Sequence, residues 1–457
     1  MNTIITISVL GLTAMLAEIF SFKKLLPLLV FGGLIVALIF NFKDWNTSTS
    51  YYNDMFRFDN YAILFSSLII EIALVWFLIS QGLFKSDSSL TDHHAILLFS
   101  IVGAVVMTGF SNMIMLFIGI EILSISMYVM AASNKSDVRS NEAGLKYFLM
   151  GAFATGFLLF GIALIYGVCA SFNLAAIANY VSLNATSLPS MFYAGLILLM
   201  CGLFFKVAAV PFHFWTPDVY DGAPTTVTAF MATIVKTAAF ASFFRLFYTC
   251  FGTIATYWVP IMMIISAVTM IIGNILAVSQ TSFKRMLAYS SIAHAGYMLM
   301  AIIACNATGA SALLIYAYAY AASSLGAFAF LYVMTDQLKD ERIEAMKGLG
   351  KKNPLLAIIL TIVMLSLAGI PPLAGFFGKY YIFYSVIQQG YIWIVVVAVI
   401  SSLIGAYYYL RPVITMFQPS KDETPVLLPP FTLVFMGLIA LIILLIGFAP
   451  QLFIDLL

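Results

Sequence analysis

Charge is scarce in this 457-residue sequence: Asp, Glu, Lys and Arg make up only 9% of it, against roughly a quarter in soluble proteins. Hydrophobic residues make up 63%, and the mean hydropathy is +1.05. A chain this apolar cannot cover its surface with polar groups in water, so lipid is its solvent. That excludes a soluble enzyme, a nucleic-acid binder and a secreted disulfide scaffold. A net charge of +2 gives no pull on a polyanionic partner. Cysteine is also scarce: Cys169, Cys201, Cys250 and Cys305 stand apart, and none forms a CxxC. Fe–S clusters and structural zinc need several closely spaced thiolates, so neither is expected. The isolated cysteines read as small packing residues. The sequence has no Walker loop and no GxGxxG after a strand, so ATP or NADH chemistry is not expected of this polypeptide.

What the sequence does have is apolar runs. Only helices satisfy every backbone group over about 20 residues in lipid. Runs bounded by charges, Pro/Gly or Asn/Ser clusters number fourteen: 3–22, 25–42, 60–82, 95–110, 112–132, 143–168, 190–210, 224–248, 256–279, 285–304, 309–334, 354–388, 391–411 and 430–450. The expected fold class is an all-α polytopic membrane protein. Segment 171–187 is polar enough to be a loop or a surface helix. The charged stretch 335–353, TDQLKDERIEAMKGLGKKN, is too short to fold alone and reads as a solvated connection with a short amphipathic helix. The first apolar run has no basic residues before it and reads as a retained helix rather than a cleaved signal.

The basic residues test this count. With the N-terminus outside, the cytoplasmic loops hold Lys23, Lys24, Lys85, Lys135, Arg139, Lys146, Lys284, Arg285, Lys339, Arg342, Lys347, Lys351, Lys352, Arg411 and Lys421, which is 15 of the 21 Lys and Arg. The opposite side has only Lys43, Arg57 and Arg245. This is the positive-inside asymmetry, and an extra or missing helix would scramble it. Both termini are therefore expected on the outer, periplasmic side.

The remaining cations fall inside helices, where an unpaired charge costs about 2.5–3.5 kcal/mol even on the lenient insertion scale. Mid-helix ionisable residues are Glu18, Glu71, Glu121, Lys206, Lys236, His294 and Lys379. Glu18 is near a helix end and can snorkel. Glu71 fits a local hydrogen bond as well as a function. Burial lowers a lysine pKa and a nearby carboxylate raises it. A lysine balanced between the two takes up and releases a proton near neutral pH, which is the chemistry of a proton relay. Structural ion pairing is the alternative; three separate buried lysines weigh against it.

Two of those lysines adjoin helix breaks. Pro211 deprives the Val207 carbonyl of its helical partner, and Pro371 and Pro372 act likewise before Lys379. The flanking PFHFWTPDVYDGAP, with His213, Asp218 and Asp221, is too polar for lipid. Irregular backbone at membrane depth survives only where protein buries it or a hydrated cavity meets it. The spacing also repeats: Glu121 to Lys206 and His294 to Lys379 are both 85 residues. This suggests two five-helix repeats. Five is odd, so their topologies are inverted. The corresponding division is 1–94 (helices 1–3), 95–250 and 251–412 (the repeats), and 413–457 (helix 14).

The stretches KVAAVPFHFWTPDVYDGAPTTVTAF, KRMLAYSSIAHAGYML and GIPPLAGFFGKYYIF strongly resemble the antiporter-like subunits of respiratory complex I, the bacterial NADH–quinone oxidoreductase. Within that family PDVYDGAP and a lysine at Lys379 are similar to the subunit N branch, equivalent to mitochondrial subunit 2. The resemblance covers about residues 110–390. It implies that Glu121 is the fifth-helix carboxylate and Lys206 the lysine paired with it on a broken helix. Lys236 would be the central relay lysine and Lys379 the terminal lysine toward the periplasmic exit. His294 and His213 match family histidines. The resemblance also implies a proton translocase subunit with no cofactor of its own. NADH, FMN, Fe–S clusters and quinone would sit on partner subunits. The neighbours would be subunit M and small subunits such as K and J, in the bacterial inner membrane. Two other readings stay open: a subunit of a related multisubunit Na⁺/H⁺ antiporter or membrane-bound hydrogenase, and a passive scaffold whose charges are structural.

Overall fold

The computed structural model describes residues 1–20, 22–80, 90–337, 339–420 and 430–454. It is helical almost throughout. In chain order come α1 (Asn2–Ile19), α2 (Leu26–Lys43), a hairpin of β1 (Thr49–Tyr51) and β2 (Phe56–Phe58), α3 (Asn60–Ser80), α4 (Leu90–Gly109), α5 (Met113–Ala131) and α6 (Val138–Cys169). Next are α7 (Leu174–Leu183), α8 (Ser190–Val207), α9 (Trp215–Gly222), α10 (Thr225–Phe230), a π-helical turn (Met231–Val235) and α11 (Lys236–Cys250). The rest is α12 (Ala255–Val278), α13 (Phe283–Ala304), α14 (Ala307–Gln337), α15 (Leu349–Lys352), α16 (Pro354–Ala368), α17 (Ala374–Ile387), α18 (Ile392–Met416), α19 (Pro430–Phe448) and α20 (Gln451–Ile454).

Among the described residues, twelve helices are long and apolar enough to cross a membrane. Each of the fourteen expected runs coincides with a helix or a helix pair. The run 354–388 is the pair α16 and α17, interrupted at Gly369–Leu373. Segment 171–187 contains α7, whose ten residues extend only about 15 Å. It is too short to span. Local chemistry sets several boundaries. Asn112, Asp137 and Asn173 accept backbone N–H bonds at the starts of α5, α6 and α7. Asp137 starts α6 five residues before the expected position. Lys85 and Lys421, counted among the loop cations, lie outside the described residues.

The chain forms two compact units: Met1–Val207 with Gly222–Pro260, and Ala208–Asp221 with Ile261–Leu457. In the first, the continuous helix Thr225–Cys250 is buried along its whole apolar window, while only 28% of the windows holding α1 and α2 is buried. Burial on all sides explains how that helix carries a lysine. α6 and α8 pack closely at glycine: a Cβ on Gly161 would meet the Leu199 nitrogen at 2.6 Å. Small residues permit this approach where lipid supplies no hydrophobic drive. In the second unit α13 and α14 are the buried helices, at 94% and 89% of their windows.

Candidate functional site

In the first unit, Glu121 lies in the middle of α5 and Lys206 in the last turn of α8. The C-terminal turn favours a cation, because the helix dipole is negative there. Lys206 is only 7% exposed. Its Nζ donates to Ser124 Oγ at 2.8 Å, and among the described residues it has no carboxylate at ion-pair distance. Ser124 stands three residues after Glu121 on the same helix, and it donates its own proton to the Ile120 carbonyl. The two charges remain within electrostatic reach of each other. Glu121 Oε1 is buried without a hydrogen-bond partner. Glu121 and Lys206, expected to pair, thus make no direct ion pair: the lysine donates instead to Ser124, three residues along α5 from the carboxylate.

Lys236, 3% exposed, opens α11 directly after the π-helical turn. Such turns add a residue to the helix and re-aim the side chains after them, and they are frequent at functional sites. No proline or glycine marks this one in the sequence.

The first break begins where α8 stops at Val207, as Pro211 requires. Ala208 adopts a left-handed φ of 62°, and the Val210 N–H finds Thr269 Oγ1 at 3.0 Å. His213 is 5% exposed, and its Nδ1 is buried without a partner. α9 then meets the start of α13 within the second unit. Lys284 Nζ donates to the Asp221 carbonyl at 2.8 Å, and Arg285 pairs with Asp218 and Asp221 at 3.4 and 3.6 Å. Cations are unfavourable at a helix N-terminus, so these acidic partners offset the cost. Lys284, expected in a solvated loop, is in fact 4% exposed.

At the second break, α16 ends in Gly369 with φ 84°, a conformation few other residues adopt. The last carbonyl of that half-helix, Ala368 O, accepts from Lys379 Nζ at 2.8 Å, and Ser402 Oγ accepts at 2.7 Å. The ammonium also lies 5.0 Å from the Tyr297 ring centroid. Lys379 thus caps a helix C-terminus that proline left without an N–H partner. His294 on α13 is held by two phenols, Tyr316 at 2.6 Å from Nδ1 and Tyr409 at 2.9 Å from Nε2. Tyr409 in turn contacts Ser290. A cavity of about 10 Å³, room for one water, borders His294, Tyr320 and Ser366. Ser366 belongs to the turn of α16 that Lys379 caps. The tyrosines do not stand out in the sequence, where aromatics in apolar helices read as packing.

Glu18 is exposed at the end of α1, with Lys23 at 2.6 Å and Thr91 Oγ1 at 2.8 Å, so its role is local. Glu71 is half-buried in α3. Among the described residues no group of three or more His, Cys, Asp or Glu could hold a metal ion. The chemistry available is proton exchange among buried lysines, a carboxylate, histidine and hydroxyls.

A family model described as NADH:quinone oxidoreductase/Mrp antiporter, TM matches residues 110–405. Subunit N of NADH-quinone oxidoreductase from Cytophaga hutchinsonii is 43% identical over 460 residues, covering 100% of this chain and 99% of that protein. The chain belongs to the NADH:quinone oxidoreductase/Mrp antiporter family. Within the family it groups with the N subunits. A chain of respiratory complex I from Thermus thermophilus with bound aureothin superposes with a TM-score of 0.85 at 32% identity, covering 99% of this chain and 98% of that one. The Mrp complex from Dietzia sp. shares the fold with a TM-score of 0.88 at 19% identity, covering 99% of this chain and 95% of that chain. Of the buried lysines, two, Lys206 and Lys379, adjoin breaks in their helices.

Proposed function

We propose that protons cross this antiporter-like membrane subunit of NADH-quinone oxidoreductase along buried side chains, in the order Glu121, Lys206, Lys236, His294 and Lys379, with His213 beside the first break. The observation that carries the reading is the site on α5 and α8. A carboxylate and an ammonium share it without a direct salt bridge: Lys206 donates to the Ser124 hydroxyl, and Glu121 Oε1 is buried without a hydrogen-bond partner. A locked pair would be structural, whereas a loosely coupled one can be disturbed. Disturbing it lets Lys206 pass its proton onward. On the second unit, the cavity beside His294 and the half-helix carbonyl under Lys379 support a water-assisted hand-over toward the exit.

The energy is adequate. Moving a proton against 100 mV costs about 2.3 kcal/mol, and a two- to three-unit change in a lysine's proton affinity is worth about 3–4 kcal/mol. The disturbance comes from outside the chain. NADH, FMN, Fe–S clusters and quinone belong to partner subunits in this reading, and subunits M, K and J are the membrane neighbours. Residues 95–250 and 251–412 act as inverted repeats of five helices, flanked by 1–94 and 413–457. Both termini face the periplasm of the bacterial inner membrane.

Lys236→Ala in the assembled complex tests the reading. NADH oxidation and proton uptake into inverted vesicles should fall together. Normal rates of both, with assembly verified on a native gel, would remove Lys236 from the path.

A further inference from the structure

The second unit has a cavity of about 360 Å³ beside the C-terminal end of α18, lined by Glu344, Lys347, Tyr407, Arg411, Ile414 and Gln418 among others. Its depth in a membrane can be read from the helix. Arg411 is 19 residues beyond Ile392, the start of α18, or about 28 Å at 1.5 Å per residue. A bilayer core is about 30 Å thick, so the cavity lies at headgroup level.

Below it runs one exposed apolar face of α18. Val396, Ile400, Leu403, Tyr407 and Ile414 recur at helical spacing, and Leu403 and Tyr407 are 69% and 65% exposed. At the top of this stripe stand two cations. Arg411 gives one guanidinium N–H to the Gln280 carbonyl at 2.9 Å and keeps its other donors. Lys347 is exposed, and among the described residues neither cation has a carboxylate at ion-pair distance. Lys351 and Lys352 lie close by on α15, tied to the end of α18 by Gly348 N–H donating to Gln418 O at 2.9 Å. Glu344 is the one acid in the lining, so the balance stays positive.

We propose that this cavity binds the headgroup of an anionic phospholipid, with its phosphodiester on Lys347 and Arg411 and an acyl chain along the stripe of α18. Basic pockets between membrane helices take such headgroups, and Tyr407 stands where interfacial aromatics anchor. Glu344 and Gln418 accept hydrogen bonds from headgroup hydroxyls, which favours a glycerol headgroup over choline.

The test uses the assembled complex in nanodiscs of phosphatidylcholine doped with photoactivatable phosphatidylglycerol, phosphatidylethanolamine or phosphatidylcholine, with cross-linked peptides mapped by mass spectrometry. Phosphatidylglycerol should label the peptides around 343–347 and 407–418 several-fold more than either zwitterionic probe. Lys347→Gln should lower that labelling about fivefold, the effect of one basic residue near the surface. Arg411→Gln should do the same. Lys347 is exposed and makes no bond the fold needs, so its variant stays informative if Arg411→Gln fails to assemble. Equal labelling by all three probes, or labelling unchanged in Lys347→Gln, would overturn the proposal. So would loss of labelling to excess inorganic phosphate, which would make this a free-anion site. Absence of label here while Val396 and Leu403 are labelled would mean that a neighbouring subunit covers the cavity, and the proposal would be wrong.

Discussion

Replacing Ser124 by alanine removes the one hydrogen-bond acceptor that Lys206 has among the described residues, at 2.8 Å. A hydrogen bond to a charged group is worth about 1.5–3 kcal/mol. Ser124 is fully buried, so little water is at hand to replace it. If a step of turnover needs protonated Lys206, that step slows by about ten- to a hundredfold at 1.4 kcal/mol per factor of ten. The assay is NADH oxidation with simultaneous proton uptake in inverted vesicles, normalised to assembled complex. Ser126→Ala is the control. Ser126 lies on the same helix, but its hydroxyl bonds only to the Ile122 carbonyl at 2.8 Å, so this variant should keep the wild-type rate. If Ser124→Ala and Ser126→Ala behave alike, the hydroxyl that accepts from Lys206 is packing and not part of the path.

Ser402→Ala should slow turnover about tenfold, because Lys379 loses one acceptor but keeps the Ala368 carbonyl; a wild-type rate would mean that the carbonyl alone holds the ammonium. Asp59→Asn leaves the buried Arg245 without its carboxylate partner. A fully buried pair would cost about 3–5 kcal/mol, and the partial exposure of Asp59 lowers this to about 1–3 kcal/mol. The readout is the yield and thermal stability of assembled complex, with turnover per assembled complex unchanged.

The helices and breaks were legible because lipid leaves so few solutions. Apolar runs of spanning length, Pro211, and the Pro371–Pro372 pair each have one physical consequence, and α8, α16 and α17 end or start accordingly. Glu121, Lys206, Lys236 and Lys379 were visible because a charge in an apolar run is costly wherever the run lies. The partners were not visible. Ser124 looks like any helical serine, and its position beside Lys206 depends on how α5 packs against α8. Lys284 is next to Arg285 in a charged-looking stretch, and its burial goes with a non-local bond to the Asp221 carbonyl. The hairpin at 49–58 has three-residue strands, too short for an alternation signal. The π-helical turn before Lys236 has no sequence punctuation at all. Of the clamp on His294, Tyr316 comes from the next helix, but Tyr409 lies 115 residues away on α18, which spacing rules do not reach.

The proton relay is tested most directly by the ratio of protons taken up to NADH oxidised in inverted vesicles carrying Lys206→Ala. Assembly is verified on native gels, terminal oxidases are blocked and a short-chain quinone is supplied. The predicted result is an assembled complex in which the ratio falls, or in which pumping and oxidation collapse together. Normal pumping and normal oxidation in that assembled variant would contradict the relay and leave Lys206 a structural charge.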